Sequence, residues 1–134
     1  MIHIPGSIHD EIVQQAEAEL PNECCGYLGG TQEEAVTVTR RFPMTNVDAS
    51  PEHFSFDPAE QFAAVKAARA DGLELVANYH SHPETPARMS DEDIRLANDT
   101  RIIYLIYSVS EGMLKAFSVD SSRNVTQEEL TVTA

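Results

Sequence analysis

The stretch LELVANYHSHPETPARMSDED, from Leu73 to Asp93, decides the fold and points to the chemistry. Leu73 to Tyr79 is an apolar run that reads as a buried strand. Side chains two apart on a strand share a face, so His80 and His82 present two imidazoles on one side at the strand's C-terminal end. Open α/β sheets bind ligands at such ends. Two neutral imidazoles and one carboxylate, with a fourth position open, form the ligand set of a catalytic zinc site, and Asp93 is the obvious third ligand. A plainer reading stays open beside it. Ser90 and Asp93 have the spacing of a capping box, with Ser90 as N-cap and Asp93 at the third helical position. Both can hold at once.

Outward from that stretch, strands and helices alternate. Ile2 to Ile4 reads as a short edge strand stopped by Pro5-Gly6, and Ser7 as the N-cap of a helix over Ile8 to Leu20. Ile8, Ile12, Ala16 and Leu20 give that helix one narrow apolar stripe. Cys24 to Leu28 is a small-residue strand, and Gly29-Gly30 reads as its turn. Ala35 to Arg41 alternates and is β-branched, so it is the next strand, followed by a polar connection from Phe42 to Pro51. Phe54 to Phe56 reads as a short strand. Asp57-Pro58-Ala59-Glu60 is a helix start with an N-cap acid, a first-turn proline and a capping-box acid; that helix runs to Ala70 with Phe62, Val65 and small alanines inward. Ser90 begins a third helix, with Ile94 and Ala97 inward. Arg101 to Val109 is a central strand, Met113 to Val119 its hairpin partner, and Val125 to Val132 a last edge strand. The pattern predicts one domain over residues 1–134, an α/β sandwich with a mixed sheet.

Composition sets limits. The chain has 134 residues, 42% of them hydrophobic, which is enough for a core and argues against disorder. The N-terminus lacks the layout of a signal peptide and no run is long enough to span a bilayer, so the expected location is cytoplasmic. A net charge of -13 disfavours nucleic acid or an anionic membrane as partner. Cys24 and Cys25 are adjacent and lack metal-binding spacing, so they read as buried, reduced residues, although their place beside Glu23 raises the question of oxidation. His3, His9 and His53 read as surface or packing residues, and Asn78 and Tyr79 as packing or support for the first ligand.

Glu23, then His80-Ser81-His82-Pro83, six residues, and Ser90-x-x-Asp93 resemble the JAMM (MPN+) metalloprotease signature with no position missing. The resemblance covers nearly the whole chain and is weakest after Val119. It implies a cytidine-deaminase-like three-layer α/β/α sandwich. It also implies one zinc ion on His80, His82 and Asp93, Glu23 as general acid/base, and Ser90 near the developing oxyanion. Deubiquitinating members of that family carry inserted loops for which this chain has little room, and its size resembles compact prokaryotic members. Some of those cut adducts from ubiquitin-like sulfur-carrier proteins ending in Gly-Gly. The implied activity is thus hydrolysis of a peptide or isopeptide bond after a Gly-Gly tail, the tail being held by β-augmentation of an edge strand. A zinc amidohydrolase of another substrate and a non-catalytic scaffold are the alternatives, and a homodimer is compatible with either.

Overall fold

The computed structural model describes residues 1–134. The elements in order are β1 (Ile2–Pro5), α1 (Gly6–Ala18), β2 (Cys25–Gln32), β3 (Val36–Met44), α2 (Pro58–Ala70) and β4 (Glu74–His82). They continue with α3 (Asp91–Leu96), β5 (Ile103–Ser108), β6 (Met113–Val119), β7 (Val125–Glu128) and β8 (Leu130–Thr133). All eight strands join one mixed sheet in the order β7-β6-β5-β4-β2-β3-β1-β8. The pairs β4–β5, β1–β3 and β1–β8 are parallel and the rest antiparallel.

The helices divide between the two faces, which gives the predicted three layers. On one face α1 buries Ile8, Ile12 and Ala16 in the largest core cluster, with Leu28, Val38, Tyr79 and Leu105 from the sheet. On the other, α2 sets Ala64 and Ala68 against Cys25, Phe42 and Met44. The segment around α3 packs Ala87, Met89 and Ala97 against Tyr104, Ile106 and Phe117. No helix is long and apolar enough to cross a membrane.

Several sequence expectations shift. Ile2 to Pro5 is an inner strand, because β8 covers its outer side. Pro5, not Ser7, stands at the N-cap of α1, and Leu20 lies beyond that helix and is exposed. Gly29 and Gly30 sit inside β2 at a bulge rather than at a turn. A Cβ on Gly30 would collide with the Thr37 carbonyl, so here glycine serves close approach of two backbones. β3 continues through Met44, burying Phe42 and Met44. Phe54 to Phe56 forms only a single bridge, from Phe56 to Asn46. The α2 start holds: Asp57 accepts the Ala59 and Glu60 N–H groups, but the Glu60 carboxylate turns to the Thr45 N–H and hydroxyl instead of closing a box. Phe62 is 65% exposed, while the small alanines expected beside it, Ala64 and Ala68, are buried.

The C-terminal segment divides at Glu129. β7 pairs with β6 and β8 with β1, at opposite ends of the strand order. The sheet therefore curls until one continuous segment closes it. Glu128 ties the seam, accepting hydrogen bonds from the Ser118 hydroxyl at 2.8 Å and the N-terminal amine at 3.1 Å. β4, by contrast, has no free edge, since β2 and β5 flank it.

Candidate metal centre

β4 carries His80 and His82 as its own last residues, on the face shared by α2 and α3, with the rings 2% and 5% exposed at the residue level. Alternation sends the neighbouring Tyr79 to the opposite face, where its hydroxyl meets Gln15 of α1. Asp93 arrives from α3. Ser90 caps that helix in a complete box: its Oγ accepts the Asp93 N–H at 3.0 Å, and its own N–H donates to Asp93 Oδ2 at 3.0 Å. The capping reading holds, and the same box aims the Asp93 carboxylate at the two histidines.

The three donor atoms converge. His80 Nε2 lies 3.2 Å from His82 Nε2 and 3.2 Å from Asp93 Oδ1, and His82 Nε2 lies 3.1 Å from Asp93 Oδ2. A tetrahedral centre with ligand bonds of about 2.0–2.1 Å has edges of about 3.3–3.4 Å, close to these separations. The protons agree. His82 Nδ1 faces the Pro86 carbonyl at 2.9 Å, which only accepts, so Nδ1 carries a hydrogen. Neutral His82 then turns a bare Nε2 lone pair on a carboxylate, an arrangement that calls for a cation between them, either a proton or a metal. The residues fit a metal ion.

The charges of the metal-free cluster follow. Burial works to lower the His82 pKa, but the Asp93 hydrogen bond, the Pro86 carbonyl and the charges of Asp93 and Glu23 raise it above its ordinary value. Burial works to raise that of Asp93, and hydrogen bonds from His80 and His82 outweigh it, holding the carboxyl well below the usual range. His80 stacks on Phe54 with centroids 4.4 Å apart, and its Nδ1 has no hydrogen-bond partner.

Glu23 sits just ahead of β2 and is 5% exposed. Burial foremost, partly offset by His82 and reinforced by Asp93, Glu92 and Glu52, lifts its carboxyl from 4.5 to about 8. A carboxyl poised near neutrality beside a cluster able to hold a metal suits proton transfer. Its backbone is held on both sides. Asn46 Nδ2 donates to the Glu23 carbonyl at 3.0 Å and to the His53 carbonyl at 2.9 Å, and Ser81 Oγ accepts the adjacent Cys24 N–H at 2.8 Å. Asn46 and Ser81 were not singled out in the sequence, where a polar connection and the middle residue of a motif gave no sign of these bonds. His53, read there as a surface or packing residue, is half-exposed and joins Glu92 of α3 through Nδ1 at 2.6 Å. Cys24 and Cys25 are buried and unpaired in a disulfide, and burial pushes both thiols up to about 12, far from the reactive thiolate range.

Comparisons with known proteins agree with the geometry. Residues 5–120 match a family described as prokaryotic homologs of the JAB domain. A probable TtuB-protein conjugate cleaving protease of Thermus thermophilus is 33% identical over 126 residues, 93% of this chain and 80% of that protein. A CysO-cysteine peptidase of Mycobacterium bovis is 33% identical over 109 residues, 81% of this chain and 73% of the relative. The solution structure of a Desulfitobacterium hafniense protein, 43% identical, superposes with a TM-score of 0.91 over 99% of this chain and 93% of its own.

Proposed function

The chain belongs to the prokaryotic JAB family, and from that premise we propose that it is a zinc-dependent peptidase that cuts the bond after the C-terminal Gly-Gly of a ubiquitin-like carrier protein. The observation that carries this reading is the convergence of His80, His82 and Asp93 with Glu23 poised beside them. The two relatives support the substrate class, one named for cleaving TtuB–protein conjugates and the other as a CysO–cysteine peptidase. A complete donor set argues against a scaffold.

His80 Nε2, His82 Nε2 and Asp93 would hold the ion. Bound there, zinc supplies Lewis acidity toward the carbonyl and acidifies water to a pKa of about 7. Glu23 takes the proton of the attacking water and passes it to the leaving amine nitrogen, a transfer its lifted pKa suits. Ser90 Oγ spends a lone pair on the Asp93 N–H, so its own hydrogen is free to donate to the oxygen where charge develops. His82 is fixed in the right tautomer by Pro86, and Asp93 in the right rotamer by the capping box.

An extended tail cannot pair with β4 itself, whose two edges are taken, and the free edges of β7 and β8 lie three and four strands away. The tail must instead lie across the α2/α3 face. The test is to load the protein with zinc and offer Gly-Gly-tailed carriers as lysine conjugates and as linear fusions, identifying products by mass. Release of a free Gly-Gly terminus is expected. Loaded protein that cuts neither kind would overturn the proposal.

A further inference from the structure

On the α2/α3 face, residues line up across three strands. One row is Cys25–His80–Ile106, at the level of the metal cluster; the next, toward the start of β4, is Tyr27–Asn78–Tyr104. The second lies about 6.6–6.8 Å from the first, two residues of extended chain. It floors a cavity of about 750 Å³, walled by Gln61 and Val65 of α2 on one side and Leu96 on the other.

The three side chains of this row are not equivalent. The Tyr27 hydroxyl accepts a hydrogen bond from Gln61 Nε2 at 2.7 Å. The Tyr104 hydroxyl donates to the Asp99 carbonyl at 2.7 Å and accepts the Asp99 N–H at 3.1 Å. Asn78 is only 8% exposed, and its Oδ1 has no partner. Buried polar groups are nearly always hydrogen-bonded, and Oδ1 is turned in from the cavity that Asn78 lines, so it is free to take an incoming donor once it turns outward. The Asn side chain turns easily about χ2, a broad two-fold torsion, and can present its oxygen to the cavity.

The site also has a direction. Cys25 pairs with His80 and Cys24 bonds Ser81, so the chain runs back from there to Glu23 toward the His82 end of β4. Asn78 lies on the other side of the cluster, toward Glu74. The amine that receives a proton from Glu23 therefore leaves on one side, and the acyl chain extends over Asn78 on the other.

We infer that Asn78 is a specificity-determining residue: its carboxamide oxygen accepts the backbone N–H of the first glycine in the Gly-Gly tail, two residues of extended chain from the metal level. This rests on the function proposed above. It favours a tail with a free N–H at that position and excludes proline or an N-alkylated residue there.

The test uses zinc-loaded Glu23→Gln protein, which holds an amide without cutting it, and a peptide ending in Gly-Gly joined to a small amine. A second peptide carries N-methylglycine in place of the first glycine, and calorimetry reads the binding of both. Methylation should weaken binding by about tenfold, the worth of one hydrogen bond. With Asn78→Leu added, methylation should change binding by less than about twofold. Asn78→Ala repeats the comparison with a smaller side chain, so neither cavity filling nor a folding defect in one variant decides the outcome. Asn78→Leu should also raise Tm, since it removes an unpaired buried acceptor. An equal effect of methylation with and without Asn78 would overturn the inference while leaving the peptidase reading intact, provided the Glu23 enzyme cuts the unmethylated peptide. Failure to cut that peptide and to bind it at all would overturn both.

Discussion

The two faces of the sheet handle polar groups in opposite ways. Under α1, a 16-residue apolar cluster is continuous, and the buried Tyr79 hydroxyl is matched to Gln15 and Arg41, with Arg41 Nε the one exception. Under α2 and α3, two smaller clusters of 5 and 7 residues leave a gap between them. In and around that gap sit a lifted carboxyl at Glu23, an unpaired Asn78 Oδ1, an unpaired His80 Nδ1 and a histidine pair facing a carboxylate. The first face is packed for stability, and the second gathers the polar groups that the proposed function assigns to a metal and a substrate.

Substitutions on the two faces should separate accordingly. Glu23→Gln should keep the metal and lower turnover by about 10²–10⁴, the range for a general acid/base; undiminished activity would remove Glu23 from its role. Ser90→Ala should lower kcat by about 10²–10³ with metal content unchanged, and should take no more than about 1 kcal/mol of stability through lost capping. Ile12→Ala, at a fully buried position of α1, should destabilise by about 2–5 kcal/mol while kcat/KM below the transition stays as in the wild type. Were activity to fall with no loss of stability, the division of labour between faces would fail.

Acidity gives a finer separation. Glu23 has a folded pKa near 8, above its unfolded value of about 4.5, so the native metal-free protein binds the extra proton. That stability is fully present below pH 4.5 and is lost as pH rises toward 8. Glu23→Gln should therefore stabilise the metal-free protein at pH 8 by an amount on the order of a few kcal/mol and much less at pH 4.5, as denaturant titrations at the two pH values would reveal. His82 titrates in the same sense, its raised pKa adding stability at low pH that fades as it deprotonates. A metal would compete with protons for its Nε2, so the apparent metal affinity should weaken as pH falls through the raised His82 pKa.

What the sequence made legible was local. The i, i+2 histidines on one strand face, the Ser90/Asp93 spacing and the Asp57-Pro58 helix start depend on neighbours within four residues, and each stands in the structure where its periodicity placed it. Pairings between distant segments were not legible. Ile2 to Pro5 became an inner strand only because residues 130–133 cover it, and the closing segment divided because the sheet curls. Phe62 looked inward by its apolarity, but the close approach of α2 to the sheet is made by alanines. Glu23 carries no local sign of chemistry, and only the resemblance to a known signature singled it out. Asn46, Ser81 and Asn78 matter through hydrogen bonds made or left unmade across the fold, which no short window of sequence displays.

The most direct test of the central claim is the metal content of purified protein after zinc loading, with wild type and Asp93→Ala side by side. About one zinc per wild-type chain and none in the variant is the result the convergence of His80, His82 and Asp93 predicts. Wild-type protein that stays metal-free when zinc is supplied, or a variant that keeps its zinc, would contradict it.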